Sequence, residues 1–155
     1  MKELINVYKY QSLRAAGDVL ADLLIESFKF ENNSILVPLP TISKHIRERG
    51  FAHIEFLASR ICKLSRHKRQ SRRAYISCVK LLMRVNSTVQ VGSSAEKRKI
   101  QAEEAYSVAK GFDPNKHYIL VDDVWTTGSS MLAAAQKLRS LGAQYVDILV
   151  IAKTV

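Results

Sequence analysis

The stretch that decides the fold is "HYILVDDVWTTGSSMLAAAQKLRSLGA", which runs from His117 to Ala143. It begins with an apolar run that ends on two adjacent carboxylates, Asp122 and Asp123. Residues 126–130, Thr-Thr-Gly-Ser-Ser, come shortly after them and lead into an alanine-rich segment. Because two like charges side by side repel each other, an acidic pair at a strand end needs a functional explanation.

This stretch and the residues that follow it predict a βαβ unit. "HYILVDD" has the composition of a buried strand, and the segment from Ser130 to Leu141 carries apolar residues on one helical face. Gly142 can take a positive φ and is placed to end that helix. "YVDILVIAK" then predicts a second strand, parallel to the first and joined to it by a right-handed crossover. The fold class predicted is α/β, with a mostly parallel central sheet flanked by helices.

The first half of the chain adds helices and a strand to this unit. Apolar spacing predicts a helix from Ser12 to about Lys29 and another beginning at Phe51, with the short strand Ile35–Pro40 between them. Without a linker or an internal repeat, residues 1–155 are expected to form a single domain. Three segments lack a clear period: Ser65–Arg73 is too charged to pack, Ala74–Val85 fits a helix or a strand, and Asn86–Lys99 is expected to be a mobile loop around a short strand.

Length and composition exclude several classes of protein. With 155 residues, 47% of them hydrophobic, the chain can bury a normal core, and apolar runs such as Ile148–Ala152 are far too short to cross a membrane. The N-terminus lacks an apolar signal region, so a cytoplasmic protein is expected. The two cysteines, Cys62 and Cys78, cannot form a zinc site alone and are expected to be buried, inert thiols.

The positive charge of the chain is concentrated in its middle. Of the 24 Lys and Arg residues, 15 lie between Thr41 and Lys99, together with only three of the 14 Asp and Glu residues. Such an asymmetry suggests a polyanionic ligand, either a nucleic acid or a multiply phosphorylated small molecule. For the most basic part, "LSRHKRQSRR" (Leu64–Arg73), a solvated face that aids solubility is an equally good explanation.

The acidic pair and the turn after it together suggest a ligand. In open α/β sheets, ligands bind beyond the carboxyl ends of the strands, where loops lead into helices. A helix N-terminus offers unpaired N–H groups and a partial positive charge, which suit a phosphate, and Gly128 would let the backbone approach it closely. Carboxylates repel a phosphate, but they suit sugar hydroxyls or a bridging Mg²⁺. A sugar phosphate with a metal is therefore predicted, and ordinary N-capping by the Thr and Ser residues is the alternative.

The run "ILVDDVWTTGSS" resembles the phosphoribosyl-pyrophosphate motif of the type I phosphoribosyltransferases: an apolar strand, two acids and Thr-Thr-Gly. Three further segments look like the ComF-like branch of that family: "VYKYQSLRAAGDVLADLL", "LVPLPTISKHIRERGFAHIEFLA" and "LLMRVNSTVQVGSSAEKRKIQAEEAYSV". The chain departs from the family at Ala52 and Gln101, where Asn is common. Many members carry an N-terminal zinc module; this chain begins after it, so no zinc is expected.

The resemblance implies a role for each residue of the motif. Asp122 and Asp123 would hold the ribose 2′- and 3′-hydroxyls and take part in catalysis. Mg²⁺ would sit on the pyrophosphate and ribose oxygens and reach these two acids directly or through water. Trp125 fits two roles equally well, stacking on an acceptor base or packing on the loop. The 5′-phosphate would bind to the five residues that follow: Thr126, Thr127, Gly128, Ser129 and Ser130.

The resemblance also assigns the pyrophosphate side of the site. The turn after the strand Ile35–Pro40, with Arg47, Arg49 and Gly50, would face the pyrophosphate, and Arg49 would take part in catalysis. Lys97 lies in a basic loop similar to the loop that closes over the site in the family. Pyrophosphate would leave an anomeric carbon through an oxocarbenium-like transition state, which cations stabilise.

Three functions remain open from the sequence. The first is a transferase that moves phosphoribosyl onto an unidentified base or amine, and the second is a sensor that binds phosphoribosyl pyrophosphate without turnover. The third is nucleic-acid binding, as in DNA uptake, through the basic residues from Arg66 to Arg73, with an affinity that falls steeply with salt. The partners expected are phosphoribosyl pyrophosphate, the acceptor, a nucleic acid and a second copy of the chain in a homodimer; no membrane contact is expected.

Overall fold

The computed structural model describes residues 3, 7–8, 14–41, 46–48, 50–67, 75–85 and 105–154. Within these residues, three helices and six strands have defined bounds. In chain order they are α1 (Arg14–Ser27), β1 (Ser34–Pro38), α2 (His53–His67), β2 (Ile76–Cys78), β3 (Leu82–Arg84), β4 (Tyr106–Val108), β5 (His117–Trp125), α3 (Ser129–Ser140) and β6 (Tyr145–Lys153).

Four of the strands form one parallel sheet in the order β2-β1-β5-β6. β3 and β4 pair antiparallel as a separate two-stranded ribbon. β5 lies inside the sheet, where it pairs with β1 on one side and along most of its length with β6 on the other. Because the strands are parallel, the residues that follow β1, β2 and β5 lie along one edge, which is where ligands bind in such sheets.

The side chains of β5 alternate between two hydrophobic layers. Ile119 and Val121 point to the face on which α1 and α2 pack, whereas Tyr118 and Leu120 point to the face covered by α3 and the β3–β4 ribbon. All four side chains are buried. β5 is thus covered on both faces, as strands of a parallel sheet usually are.

The predicted α/β architecture is confirmed. β5, α3 and β6 form the predicted βαβ unit with parallel strands, and β6 spans the residues "YVDILVIAK". Gly142 ends α3 with a φ of 97°. The ambiguous segment after the basic stretch forms the strands β2 and β3. Among the residues described, no helix is long and apolar enough to cross a membrane.

Three sequence predictions were wrong in detail. β5 does not end on the acids but continues to Trp125, because Val124 and Trp125 still pair with β6. α2 continues to His67, into the segment expected to be too charged to pack, because Ser65 is buried and its hydroxyl donates to the Cys62 carbonyl at 2.8 Å. Leu141, expected on the buried face of its helix, is 45% exposed. The loop predicted over residues 86–99 lies outside the described residues.

Candidate functional site

The two adjacent acids point to opposite faces of the sheet. β5 runs through both of them, and successive side chains of a strand alternate. Asp123 lies on the side of Val121 and is only 7% exposed, whereas Asp122 lies on the side of Leu120 and is half-buried. The backbone N–H of Asp123 donates to Asp122 Oδ1 at 2.9 Å. The pleat therefore separates the two charges and gives each carboxylate its own surroundings.

Asp123 is bonded to a histidine from the neighbouring helix. His53 Nε2 lies 2.7 Å from Asp123 Oδ2, and the two side chains are only 4% and 10% exposed. His53 opens α2, and its carbonyl accepts a hydrogen bond from the Tyr8 hydroxyl. Burial, followed by the charge of Asp123, raises the pKa of Tyr8. This side of the acidic pair is a buried polar cluster at the start of α2.

The hydroxyl loop, residues 126–130, carries β5 into α3. Gly128 occupies the N-cap position of α3, and no side chain caps the helix. The hydroxyls of Thr127 and Ser129 lie 3.1 Å apart, and Thr127 Oγ1 accepts a long bond of 3.4 Å from the Ser129 N–H. Side-chain N-capping therefore does not explain these residues. All four hydroxyl side chains of the loop are exposed beside the first N–H groups of a helix, which have no intrahelical partner.

Gly128 is required by its own conformation and by Trp125. Its φ of 74° lies in the left-handed region, which glycine adopts at little cost. A Cβ at this position would lie 2.2 Å from Cζ2 of Trp125. The Trp125 carbonyl accepts bonds from the N–H and the hydroxyl of Thr154 at 3.0 and 3.1 Å, which anchor this end of β5. The indole therefore packs on the hydroxyl loop, one of its two predicted roles.

Asp122 faces the β3–β4 ribbon on the other side of the sheet. Tyr106 of β4 is only 2% exposed, and its burial raises the pKa of its hydroxyl. The Arg84 guanidinium and a hydrogen bond with Ser130 lower that pKa, and the charge of Asp122 raises it. The Tyr106 hydroxyl thus joins the ribbon to the first turn of α3 in the neighbourhood of Asp122.

Asp122 and the hydroxyl loop line one small pocket. Its volume is about 60 Å³, and Trp125 and Met131 complete its wall. This volume suits a single small group such as a phosphate rather than a whole nucleotide, because drug-sized ligands occupy clefts of roughly 300–1,000 Å³. A larger cavity of about 480 Å³ lies at the opposite, amino end of the strands, beside His117 and Tyr145. None of the predicted site residues lines that cavity.

The remaining predicted residues are only partly described. Arg47 is exposed on a helical stretch, residues 46–48, in the connection between β1 and α2. Gly50 ends this stretch with a φ of 77°, and its N–H donates to the Ile46 carbonyl at 2.8 Å. Arg49 and Lys97 lie outside the described residues. Of the basic segment predicted to bind nucleic acid, Arg66 is described, and its guanidinium lies 5.6 Å from the centre of the Tyr75 ring.

The donor set at the loop fits a metal ion only when a substrate supplies most of its ligands. In the described part of the chain, no group of three or more His, Cys, Asp and Glu side chains is arranged to hold a metal. Asp122 lines the loop pocket, while Oδ2 of Asp123 lies against His53. One or two carboxylates are enough for Mg²⁺ when phosphates of a substrate supply its other ligands. The residues therefore fit a substrate-bound Mg²⁺ and not a cage built by the protein alone.

Two residues of this site were missed from the sequence. His53 stands four residues before Leu57 and eight before Ile61, so it lies on the apolar face of α2. A polar residue on an apolar helix face is the sequence signal that could have identified it. Tyr106 gave no signal, because its partners Ser130 and Asp122 are distant in sequence and are reached only through the packing of the ribbon on α3.

No protein-family model and no curated protein matches the chain. Its fold does match solved structures. An allosteric regulatory enzyme of purine biosynthesis is 15% identical, with a TM-score of 0.55, and the match covers 87% of this chain and 25% of that one. Adenine phosphoribosyl transferase from Trypanosoma brucei, solved with AMP, pyrophosphate and ribose-5-phosphate, is 16% identical, with a TM-score of 0.51. That match covers 95% of this chain and 56% of the Trypanosoma chain. The chain therefore has the α/β fold of the type I phosphoribosyltransferases.

Proposed function

We propose that the chain is a phosphoribosyltransferase of the ComF-like type, which binds phosphoribosyl pyrophosphate at Asp122 and the hydroxyl loop. The observation that carries the proposal is the small pocket in which one carboxylate adjoins four exposed hydroxyl side chains at a helix start without a side-chain cap. A phosphate accepts hydrogen bonds from N–H and hydroxyl groups, and ribose hydroxyls donate to a carboxylate. In a bound sugar phosphate, the phosphate would lie at the hydroxyl loop and the ribose would reach Asp122.

In this proposal the two acids have different tasks. Asp122 lines the pocket and accepts a ribose hydroxyl there. Asp123 is hydrogen-bonded to His53 on the other face, so it stabilises the end of β5 and contributes less than Asp122 to holding the ribose hydroxyls. The different surroundings of the two side chains support unequal contributions, with the larger one from Asp122.

Mg²⁺ is the cofactor proposed, bound to the pyrophosphate and to Asp122. When bound, it would neutralise charge that gathers on the leaving pyrophosphate. Arg47 and Arg49, in the connection after β1, are proposed to face the same group. A well-placed donor of this kind contributes about 2.7–4 kcal/mol to a transition state. Lys97, in the loop similar to the family's closing loop, would help to exclude water, the competing nucleophile.

The comparisons support the class of ligand and leave the acceptor to experiment. The Trypanosoma brucei enzyme was solved with AMP, pyrophosphate and ribose-5-phosphate, and the last two of these are the groups that make up phosphoribosyl pyrophosphate, the ligand proposed here. This chain spans only part of the length of that enzyme and of the purine-biosynthesis enzyme. The proposed activity is transfer of phosphoribosyl to a base or an amine, and the departures at Ala52 and Gln101 concern that acceptor.

Calorimetric titration with phosphoribosyl pyrophosphate and MgCl₂ tests the proposal. We expect saturable binding to the wild type, and a loss of about ten- to a hundredfold in affinity for Asp122→Asn, which removes a charge-assisted hydrogen bond of about 1.5–3 kcal/mol. Asp123→Asn should lose less. Asp147→Asn is the matched control, because it removes a half-exposed carboxylate at the amino end of β6 and should bind like the wild type. A folded wild type that does not bind would overturn the proposal.

Turnover separates the transferase from the sensor. Release of pyrophosphate in a screen of nucleobases and amines would establish a transferase. The compound that causes the release would be the acceptor. Saturable binding with no release against any acceptor would favour the sensor, with the same pocket in a regulatory role.

A further inference from the structure

The two cysteines of the chain lie on neighbouring elements and are both free thiols. Cys62 lies on α2 and is 5% exposed, and Cys78 is the last residue of β2 and is half-buried. The chain contains no other cysteine. The sequence predicted two buried, inert thiols; the structure instead gives one buried thiol and one half-buried thiol.

Packing places both thiols at the same interface between α2 and β2. Ile76 is fully buried in the core cluster that also contains Cys62. Because side chains alternate along a strand, Cys78 points to the same face as Ile76, and it packs against the same cluster.

An ion pair shows how the segment after β2 lies against α2. Lys80, two residues after Cys78, is paired with Glu55 on α2. Glu55 precedes Cys62 by seven residues, which is two helical turns along the same face. The residues that end β2 therefore lie against the face of α2 that carries Cys62.

The two thiols also differ in acidity. A hydrogen bond with Cys62 lowers the pKa of Cys78, against the opposing effects of burial and of Glu55, and Lys80 lowers it further. The same hydrogen bond, followed by burial, raises the pKa of Cys62. Cys78, the more accessible thiol, thus loses its proton first, and Cys62 keeps its own.

We propose that Cys78 and Cys62 form an oxidation site that reacts with small-molecule disulfides and closes an intramolecular disulfide between β2 and α2. In the first step, the Cys78 thiolate attacks one sulfur of the reagent, forms a mixed disulfide and expels a small-molecule thiolate. In the second, Cys62 gives up its proton to that thiolate or to water and attacks the Cys78 sulfur, which expels a second thiolate. Two protein thiols are oxidised to one disulfide, and one reagent disulfide is reduced to two thiols.

The order of the steps follows from the exposure of the two thiols and from the contact between them. Cys62 is only 5% exposed and Cys78 is half-buried, so the reagent meets Cys78 first. Once Cys78 is bound in the mixed disulfide, the negative charge on that sulfur is gone and the hold on the Cys62 proton weakens. The resolving thiol thus becomes nucleophilic after the first step has occurred. This inference is independent of the proposed transferase activity.

Mass spectrometry of the full chain treated with glutathione disulfide tests the inference. We expect the wild type to lose two hydrogen atoms without gaining glutathione, and peptide mapping to find Cys62 linked to Cys78 in the same chain. Cys62→Ala should stop at one glutathione adduct on Cys78, and Cys78→Ser, the matched control, should stay unmodified. Circular dichroism would check that the variants are folded.

The wild type alone can overturn the inference, whether or not the variants fold. A wild type that stays fully reduced at high glutathione disulfide, that accumulates a stable adduct, or that links cysteines between two chains would each contradict it. A second readout is the pH dependence of iodoacetamide alkylation at Cys78. Its midpoint should shift to higher pH in Cys62→Ala, which removes the hydrogen bond that favours the thiolate, and an unchanged midpoint would count against the paired site.

Discussion

The buried bond between His53 and Asp123 predicts a large and specific loss of stability when the histidine is replaced. His53→Leu fills the buried position with an apolar side chain but removes the hydrogen-bond donor that lies 2.7 Å from Asp123 Oδ2. With side chains only 4% and 10% exposed, water cannot readily replace the lost partner. Removing a hydrogen-bond partner of a buried charge costs about 3–5 kcal/mol, which is a large part of the roughly 5–15 kcal/mol that stabilises a domain.

The chain offers a matched control for this change. His117 Nε2 lies 2.8 Å from Asp147 Oδ2, nearly the same distance, but these side chains are 20% and 52% exposed. Exposed pairs contribute about 0–1 kcal/mol, because water and salt screen them. His117→Leu should therefore cost at least 2 kcal/mol less than His53→Leu, by the difference of these two ranges. His53→Gln, which keeps a donor, should recover part of the loss.

Urea denaturation followed by circular dichroism measures these free energies of unfolding. The midpoint should fall in the order wild type, His117→Leu, His53→Gln and His53→Leu, with similar slopes if unfolding stays two-state. Equal losses for the two leucine variants would refute the argument, since burial would then not determine the strength of the pair. A double-mutant cycle with Asp123→Asn would isolate the pairwise part.

Three further predictions concern the loop, the tyrosines and the ribbon. Gly128→Ala should lower the free energy of unfolding by about 2–5 kcal/mol, because the strain of a positive φ and a clash with Trp125 add. Gly111→Ala is the control, since this glycine has a φ of 98° and open space around it, and it should cost only about 1–2 kcal/mol. Equal losses of the two variants in urea melts would exclude the clash. Because the pKa values of Tyr8 and Tyr106 are raised in the folded protein, the unfolded tyrosines ionise first, so stability should fall as pH rises above about 10. In the double variant Tyr8→Phe/Tyr106→Phe, urea melts between roughly pH 9 and pH 11, the range in which free tyrosine ionises, should show a smaller decline of stability with pH. An unchanged decline would contradict its assignment to these two tyrosines. Tyr106→Phe alone removes the hydrogen bond with Ser130 and should lower the free energy of unfolding by about 1 kcal/mol. Calorimetry should also show weaker binding of phosphoribosyl pyrophosphate to this variant. Unchanged stability and unchanged binding would show that Tyr106 is not part of the site.

The central βαβ unit was predictable because its signals are local. The apolar run of β5, the apolar face of α3, the glycine after it and the strand "YVDILVIAK" each lie within one contiguous segment. Each element was found in that segment, although β5 continues past the acids to Trp125. The hydroxyl loop was placed correctly for the same reason, since a turn from strand to helix is set by residues next to one another. The position of the acidic pair near the carboxyl end of a strand in a parallel sheet followed from the topology.

Only the tertiary structure decided what surrounds each of these residues. Asp123 is hydrogen-bonded to His53, which lies 70 residues earlier in the chain. Asp122 lies near Tyr106 of the β3–β4 ribbon, a residue that no sequence pattern singled out. α2 continues into the basic segment because Ser65 is buried and Leu64 packs against the core. This packing cannot be inferred from the charge of the segment alone. The two thiols, separated by 16 positions in sequence, come together only when β2 packs on α2. Local signals decide which element forms, whereas burial and the choice of partner depend on contacts between segments that are far apart in the chain.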